Sequence, residues 1–370
     1  MSSWDVLSLA ERLDAHADYT GKGVCIGFID SGFYPHPDLM RPEKRIRSYV
    51  DVTRKEPLPE EFFCAQPHSW HGTMTACCAA GSGFLSSGRY RGLAHQADLV
   101  LVKVGVEGEI RGREVASALR VPLRYPQLGI RVLNVSVGVS RDDPHVNDVL
   151  EAIREVSAAG VVILAAAGNH PGGPVGLPAA ARDVIAVGGA DDRNTRDISD
   201  DSSWPSSYGP GLDGTHKPDL VAPAVWLAAP MLPGTLVARE AEALYHLREL
   251  LEEASVEMRW GTRERPGLEA ERESITNLQE AIGQRLTRGR YIDEHYQRVE
   301  GTSFASPITA AVVAQMLEAN PALGADDVRE GLVSTARILP DVPRNAQGAG
   351  VIAPRLAVEW ALRRGGASRA

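Results

Sequence analysis

The sequence predicts an α/β fold, a parallel sheet with helices on both faces, plus an inserted helical hairpin after residue 235. Three observations carry this. Short runs that are apolar throughout alternate with stretches of helical period, as for strands buried on both faces and joined by crossover helices. Residues able to do chemistry follow such runs directly, Asp30 after 24–29 and Asn169 after 161–167, and ligand sites of parallel sheets gather beyond strand C-termini. Residues 236–298 then abandon the alternation for a stretch dense in Glu and Arg.

Residues 1–20 read as a short amphipathic lead-in. The run 24–29 (Val-Cys-Ile-Gly-Phe-Ile) is the first buried strand and ends on Asp30-Ser31-Gly32. Residues 33–70 are irregular apart from a strand-like piece near 46–52. His71-Gly72-Thr73 opens a run of small residues through Ala80, expected to be a buried helix. Strands are then expected at 99–104, 132–137, 161–167, 184–187 and 220–222, with helices at 112–121 and 146–159. In the second of these Val146, Val149, Leu150, Ile153 and Val156 share a face. Residues 301–307 (Gly-Thr-Ser-Phe-Ala-Ser-Pro) begin a further helix, with Pro307 placed in its first turn, where a proline is tolerated. Within 236–298, Val237, Leu244, Leu247, Leu251, Ala254 and Met258 recur at heptad-like spacing. After a breaker (Gly261, Pro266, Gly267), Leu268, Ile275, Leu278 and Ile282 do the same, which predicts a two-helix hairpin with one narrow seam.

Composition narrows the function classes. The 370 residues are 44% hydrophobic and 24% charged, ordinary for a globular chain, and the net charge of −9 without a basic cluster argues against nucleic acid as partner. The longest apolar run is far too short to span a membrane, and the N-terminal residues lack the basic and apolar regions of a signal peptide. Cys25, Cys64, Cys77 and Cys78 show no metal-site or disulfide spacing. A reducing, cytoplasmic setting is therefore expected.

Four segments stand in the order Asp30-Ser31-Gly32, His71-Gly72-Thr73, Ala167-Gly168-Asn169 and Gly301-Thr302-Ser303. A serine hydroxyl needs a base to become a nucleophile, a histidine supplies one near neutral pH, and a carboxylate can orient that histidine. An amide side chain and a helix-start N–H can together hold an oxyanion. Singly, each residue is an ordinary turn or cap residue. Jointly, and in this order at strand and helix ends, they resemble the subtilisin family of serine endopeptidases. The segments Asn134-Val135-Ser136-Val137-Gly138 and His216-Lys217-Pro218-Asp219-Leu220-Val221-Ala222-Pro223 extend the resemblance. With Asp191-Asp192, Ser206-Ser207 and Gly209 they resemble most its intracellular, alkaline-protease-like branch. No GxSxG elbow, HExxH pair or GxGxxG turn after a strand competes with it.

The resemblance implies a subtilisin-like catalytic domain from 21–235 and 299–370, with 1–20 as lead-in and 236–298 as insertion. It implies that Asp30, His71 and Ser303 form the triad and that Asn169 completes the oxyanion hole. It also implies that Ser136, Val137, Gly138, Ala166, Ala167, Gly168 and Gly176 line the substrate site. Those small residues suit large side chains at the acyl position, and Glu107 and Glu109 would favour basic residues further along. Pro178 would be cis by the same resemblance. No calcium loop is recognisable, so neither metal nor cofactor is expected. Met74 replaces a family histidine, and Ala224 stands where glycine is usual. The insertion is expected either to gate the cleft, to dock a partner or a second copy, or to be a passive surface addition. Protein or peptide substrates are expected. The alternative is a non-catalytic scaffold that binds through the hairpin.

Overall fold

The computed structural model describes residues 6–54, 59–106, 109–261 and 268–367. Seven strands form a parallel sheet: β1 (Cys25–Asp30), β2 (Ile46–Asp51), β3 (Asp98–Lys103), β4 (Ile130–Val135), β5 (Val162–Ala166), β6 (Val184–Asp191) and β7 (Leu220–Pro223). Their order is β7-β6-β5-β4-β1-β3-β2, and a short antiparallel pairing with Ser202–Ser203 extends β6. The expected strands all occur, within one to four residues of their predicted ends. The largest shift is at β6, which runs on to Asp191 because Ala190 and Asp191 pair with Ser203 and Ser202.

The continuous apolar runs follow from a sheet covered twice. Alternate residues of β1 enter different cores: Ile26 and Phe28 face one cluster, Cys25 and Ile29 the other. On the first face lie helix α1 (Ser69–Ala80) and helix α6 (Thr302–Ala319). On the second lie α2 (Gly112–Leu119) and α3 (Val146–Ala158). The predicted helix at 112–121 stops at Leu119, and a separate turn, Val121–Arg124, carries Pro122 where its missing N–H is harmless.

Helices α4 (Leu236–Gly261) and α5 (Leu268–Gly289) form the hairpin. At 26 residues and 1.5 Å each, α4 is about 39 Å long. Its stem is an antiparallel ribbon of β8 (Leu227–Pro230) and β9 (Tyr296–Val299). Among the described residues the hairpin joins the main core through Ala238, Ala241, Tyr245, Ile282 and Leu286. This corrects the predicted seam. Leu244 and Leu251 do turn inward, but Val237, Leu247 and Leu278 are exposed. Heptad spacing alone cannot tell the stripe that faces the body from its neighbour, and here small and aromatic residues take the inner one. The side chains of Met258 and Leu268, and the breaker Pro266-Gly267, lie outside the described residues.

The lead-in is tied to the body by a buried fork. Arg12 donates from Nε and Nη2 to Asp192 at 2.8 Å each, and Nη2 also reaches the Val225 carbonyl at 3.2 Å. Both side chains are almost fully buried. Arg12→Ala would leave the Asp192 charge buried and unpaired, and should destabilise the fold by about 3–5 kcal/mol. Urea denaturation checks this. The double variant Arg12→Ala/Asp192→Ala should recover part of the loss, because no bare charge remains.

Candidate active site

Asp30 ends β1, and its carboxylate is buried beneath His71, in the first turn of α1. His71 Nδ1 stands 2.8 Å from Asp30 Oδ1 and 3.0 Å from Oδ2. Further donors fix the carboxylate: the Ser31 N–H at 2.7 Å, the Ser31 hydroxyl at 3.2 Å and the Thr75 hydroxyl at 3.3 Å. Gly72 is required between them, since a Cβ there would lie 2.3 Å from the Gly32 carbonyl oxygen and 2.8 Å from Asp30 Cβ. Burial pulls the His71 imidazole pKa down, but the charge of Asp30 and its hydrogen bond together outweigh it. The net shift is upward from the ordinary 6.5.

Ser303 is the second residue of α6. Gly301 caps the helix at φ +132°, in the region that favours glycine, with no side-chain cap of its own. The cap function comes instead from Asn169. Its Oδ1 accepts from the Thr302 N–H at 3.0 Å and the Thr302 hydroxyl at 2.8 Å. This uses the oxygen of the amide and leaves its Nδ2 unengaged by that cap, on an exposed residue of the loop after β5. The position of a Cβ on Gly301 is 3.3 Å from that Nδ2, so the glycine keeps the backbone clear of it. The Ser303 N–H lies in the first turn of α6, where no intrahelical acceptor exists.

Pro307 sits in the second turn of α6, one turn later than the sequence suggested. It lacks the N–H that would have bonded to the Ser303 carbonyl. That carbonyl instead accepts from the Ser136 hydroxyl at 2.8 Å. Ser136 in turn accepts from Asn134 Nδ2 at 2.9 Å, and Asn134 Oδ1 accepts from the Ser306 hydroxyl at 2.7 Å. The Ser303 hydroxyl donates to the Ser136 carbonyl over a long 3.4 Å. Asn134 and Ser306 stand in the segments 134–138 and 301–307, but neither is among the site residues that the sequence predicts. A proline four residues after the candidate nucleophile was the available signal, since it announces a carbonyl in need of another donor.

The expected substrate residues leave neighbouring strand ends, with Val135 of β4 beside Ala165 of β5. Ser136 and Val137 are buried, one bonded to Ser303 and the other packed in the second core, so their side chains are engaged within the protein. Val139 and Leu177 exchange backbone bonds of 2.8 and 3.0 Å, an antiparallel bridge that ties the segment of Gly138 to that of Gly176. A Cβ on Gly176 would stand 3.0 Å from the Val139 oxygen, and one on Gly168 2.7 Å from the Ser207 hydroxyl. Trp70, nearly half exposed, meets His71 edge-on at 5.3 Å, and Phe304 lies 5.7 Å from the same ring. Glu109 is paired with Arg111 at 2.8 Å, which blunts the expected preference for basic residues, and Glu107 lies outside the described residues. Met74 is buried against Gln297 of the hairpin stem. Ala224 fits because Gly189 leaves room for it: a Cβ on Gly189 would lie 2.9 Å from Ala224 Cβ. The Leu177–Pro178 bond is cis. Among the described residues no group of His, Cys, Asp or Glu is arranged to hold a metal ion, and no helix is long and apolar enough to cross a membrane.

A doubly covered parallel sheet, with an Asp–His pair beyond its strand ends and a serine at a helix start, defines a subtilisin-like α/β protein. The family model described as Subtilase family matches residues 21–350, and the chain belongs to that family. It is 29% identical over 346 residues to serine protease AprX of Bacillus subtilis (strain 168), covering 90% of this chain and 65% of AprX. It is 32% identical over 224 residues to subtilisin Savinase of Lederbergia lenta, covering 60% of this chain and 71% of that protein. Among solved structures, the prenylagaramide maturation protease PagA superposes with a TM-score of 0.59 at 17% identity, over 91% of this chain and 93% of PagA. A psychrophilic protease does so at 0.58 and 24%, over 86% and 84%. The likeness to these two shows the fold alone.

Proposed function

We propose that the chain is a serine endopeptidase acting through an acyl-enzyme. The observation that carries this reading is the buried Asp30 carboxylate 2.8 Å from His71 Nδ1, with Ser303 at the start of α6 nearby. Held by Asp30, the neutral imidazole keeps its proton on Nδ1 and presents Nε2 as base. Ser303 Oγ, held by a 3.4 Å bond to the Ser136 carbonyl, is proposed to turn to that base, whose ring lies 5.7 Å from that of the adjacent Phe304. Oγ then attacks the peptide carbonyl as Nε2 takes its proton. The oxyanion is received by Asn169 Nδ2 and the Ser303 N–H. Collapse breaks the C–N bond, and His71 returns the proton to the leaving amine. Water attacks the acyl-enzyme by the same route and frees Ser303. These side chains carry every step, and the proposal includes no metal or cofactor.

The substrate is proposed to run as an extended strand along the backbones of 136–138 and 166–168, with Gly138 leaving room for a large side chain. The hairpin, whose stem reaches Met74 on the helix of His71, is proposed to restrict or recruit protein substrates. The four cysteines are unpaired, which supports the cytoplasmic reading. A fluorophosphonate probe tests the proposal: the adduct should map to Ser303 in the folded chain. A folded chain that takes up no probe would leave the scaffold reading instead. Because His71 must be neutral to act, kcat/KM should fall as pH drops through its raised pKa. The acid limb should therefore lie above pH 6.5, as a pH series on a short peptide substrate would show.

A further inference from the structure

Helix α4 carries an apolar stripe that its own chain does not cover. Leu236, Ala243, Leu247, Leu250 and Ala254 follow one another at intervals of seven, four, three and four residues, which keeps them on a single face. Leu236 is 85% exposed, Leu247 47% and Leu250 48%. The inner stripe is a different one, formed by Ala238, Ala241 and Tyr245 with Leu244 and Leu251 beside them. The exposed stripe therefore has the four-and-three spacing of a coiled-coil seam, with leucine knobs at 247 and 250 between the small residues 243 and 254.

The charges along it are not balanced. Glu242, Glu249 and Glu253 flank the stripe on one side, all exposed, and among the described residues none has an ion pair. His246 lies on the same flank, and Arg239 stands near its stem end. The other cations close by are engaged: Arg248 lies over the Tyr245 ring 4.4 Å from its centre, and Arg285 pairs with Glu240. A second copy docked on this face would set glutamates against glutamates. An anionic lipid surface would meet the same repulsion. A helix with its own apolar seam bordered by Lys or Arg matches both features.

We propose that the outer face of α4 docks a cationic amphipathic helix of protein substrates, and so recruits them to the cleft. This rests on the peptidase reading above and names the substrate class that the hairpin selects. Binding is measured by fluorescence anisotropy on the full chain carrying Ser303→Ala, so that the probe is not consumed. The probe is a labelled helical peptide with Leu at seam spacing and Lys on its flanks, and its twin carries Glu in place of Lys. The Lys peptide should bind at least tenfold more tightly than the twin. Leu247→Glu with Leu250→Glu should abolish that binding, and Glu249→Lys with Glu253→Lys should invert the preference. In the active chain, the Leu double variant should lose the faster cleavage of a protein fused to the Lys helix, while cleaving a short chromogenic peptide as before.

Equal binding of the two peptides, or binding untouched by the Leu substitutions, would overturn the proposal. So would a dimer in sedimentation that the Leu substitutions dissolve, since the occupant would then be a second copy. Failure of the unaltered chain to cleave the short peptide would instead count against the peptidase reading, and the binding measurement would still report on the docking face.

Discussion

Ser303→Ala should lower kcat by about 10⁶-fold, the scale on which a triad loses its nucleophile. The expectation rests on how little else the hydroxyl does. Among the described residues it bonds to the Ser136 carbonyl alone, over 3.4 Å. The backbone of Ser303, by contrast, is held by Ser136 through a 2.8 Å bond to its carbonyl, and alanine keeps that carbonyl. Thermal unfolding of the variant should therefore match the unaltered chain within about 0.5 kcal/mol, as for substitutions that leave no cavity or bare charge. Steady-state assays on a peptide and on an unfolded protein would measure the loss. Activity within tenfold of the unaltered chain would show that another residue is the nucleophile.

Asp30→Asn should cost about 10⁴-fold, and the route of the loss is visible in the site. The Ser31 N–H, at 2.7 Å from Oδ1, would claim the carboxamide oxygen. The amide NH₂ would then face His71 Nδ1 from the position of Oδ2, now 3.0 Å away. A donor at that place competes with the oxygen, 2.8 Å from the same Nδ1, and favours the tautomer with its proton on Nε2, which cannot take one from Ser303. The substitution also removes the charge that raises the imidazole pKa and leaves the burial that lowers it. The acid limb of the residual activity should therefore move to lower pH. A merely structural contribution of Asp30 would reduce activity without moving the limb, so the pH series separates the two.

The fold was legible where burial is two-sided and local. Runs such as 24–29 and 161–167 are apolar at every position because both faces of their strands are covered. The residues of the site were legible for a related reason: parallel strands end on one edge, so Asp30 and Asn169, far apart in the chain, both fall there. What could not be read was pairing at long range. Arg12 and Asp192 are each unremarkable in their own segments, and only the folded chain brings them together. The hairpin shows a different limit. Two stripes on α4 satisfy the same spacing, and which of them faces the body depends on the shape of the core that Ala238, Ala241 and Tyr245 enter. Pro307 was read as a residue that helix starts tolerate, whereas it lies one turn later and removes a rung of the helix ladder.

That missing rung makes the serine loop and the end of β4 one mechanical part. The Ser303 peptide is steadied from outside its own helix, by the hydroxyl of Ser136, whose backbone is proposed above to meet the substrate. Any strain that an incoming chain puts on 136–138 is thus delivered to the peptide of Ser303 without passing through the helix. A misfitting chain would tilt the nucleophile it is about to meet, and a well-seated one would true it. Discrimination among substrates would then register in turnover as much as in affinity.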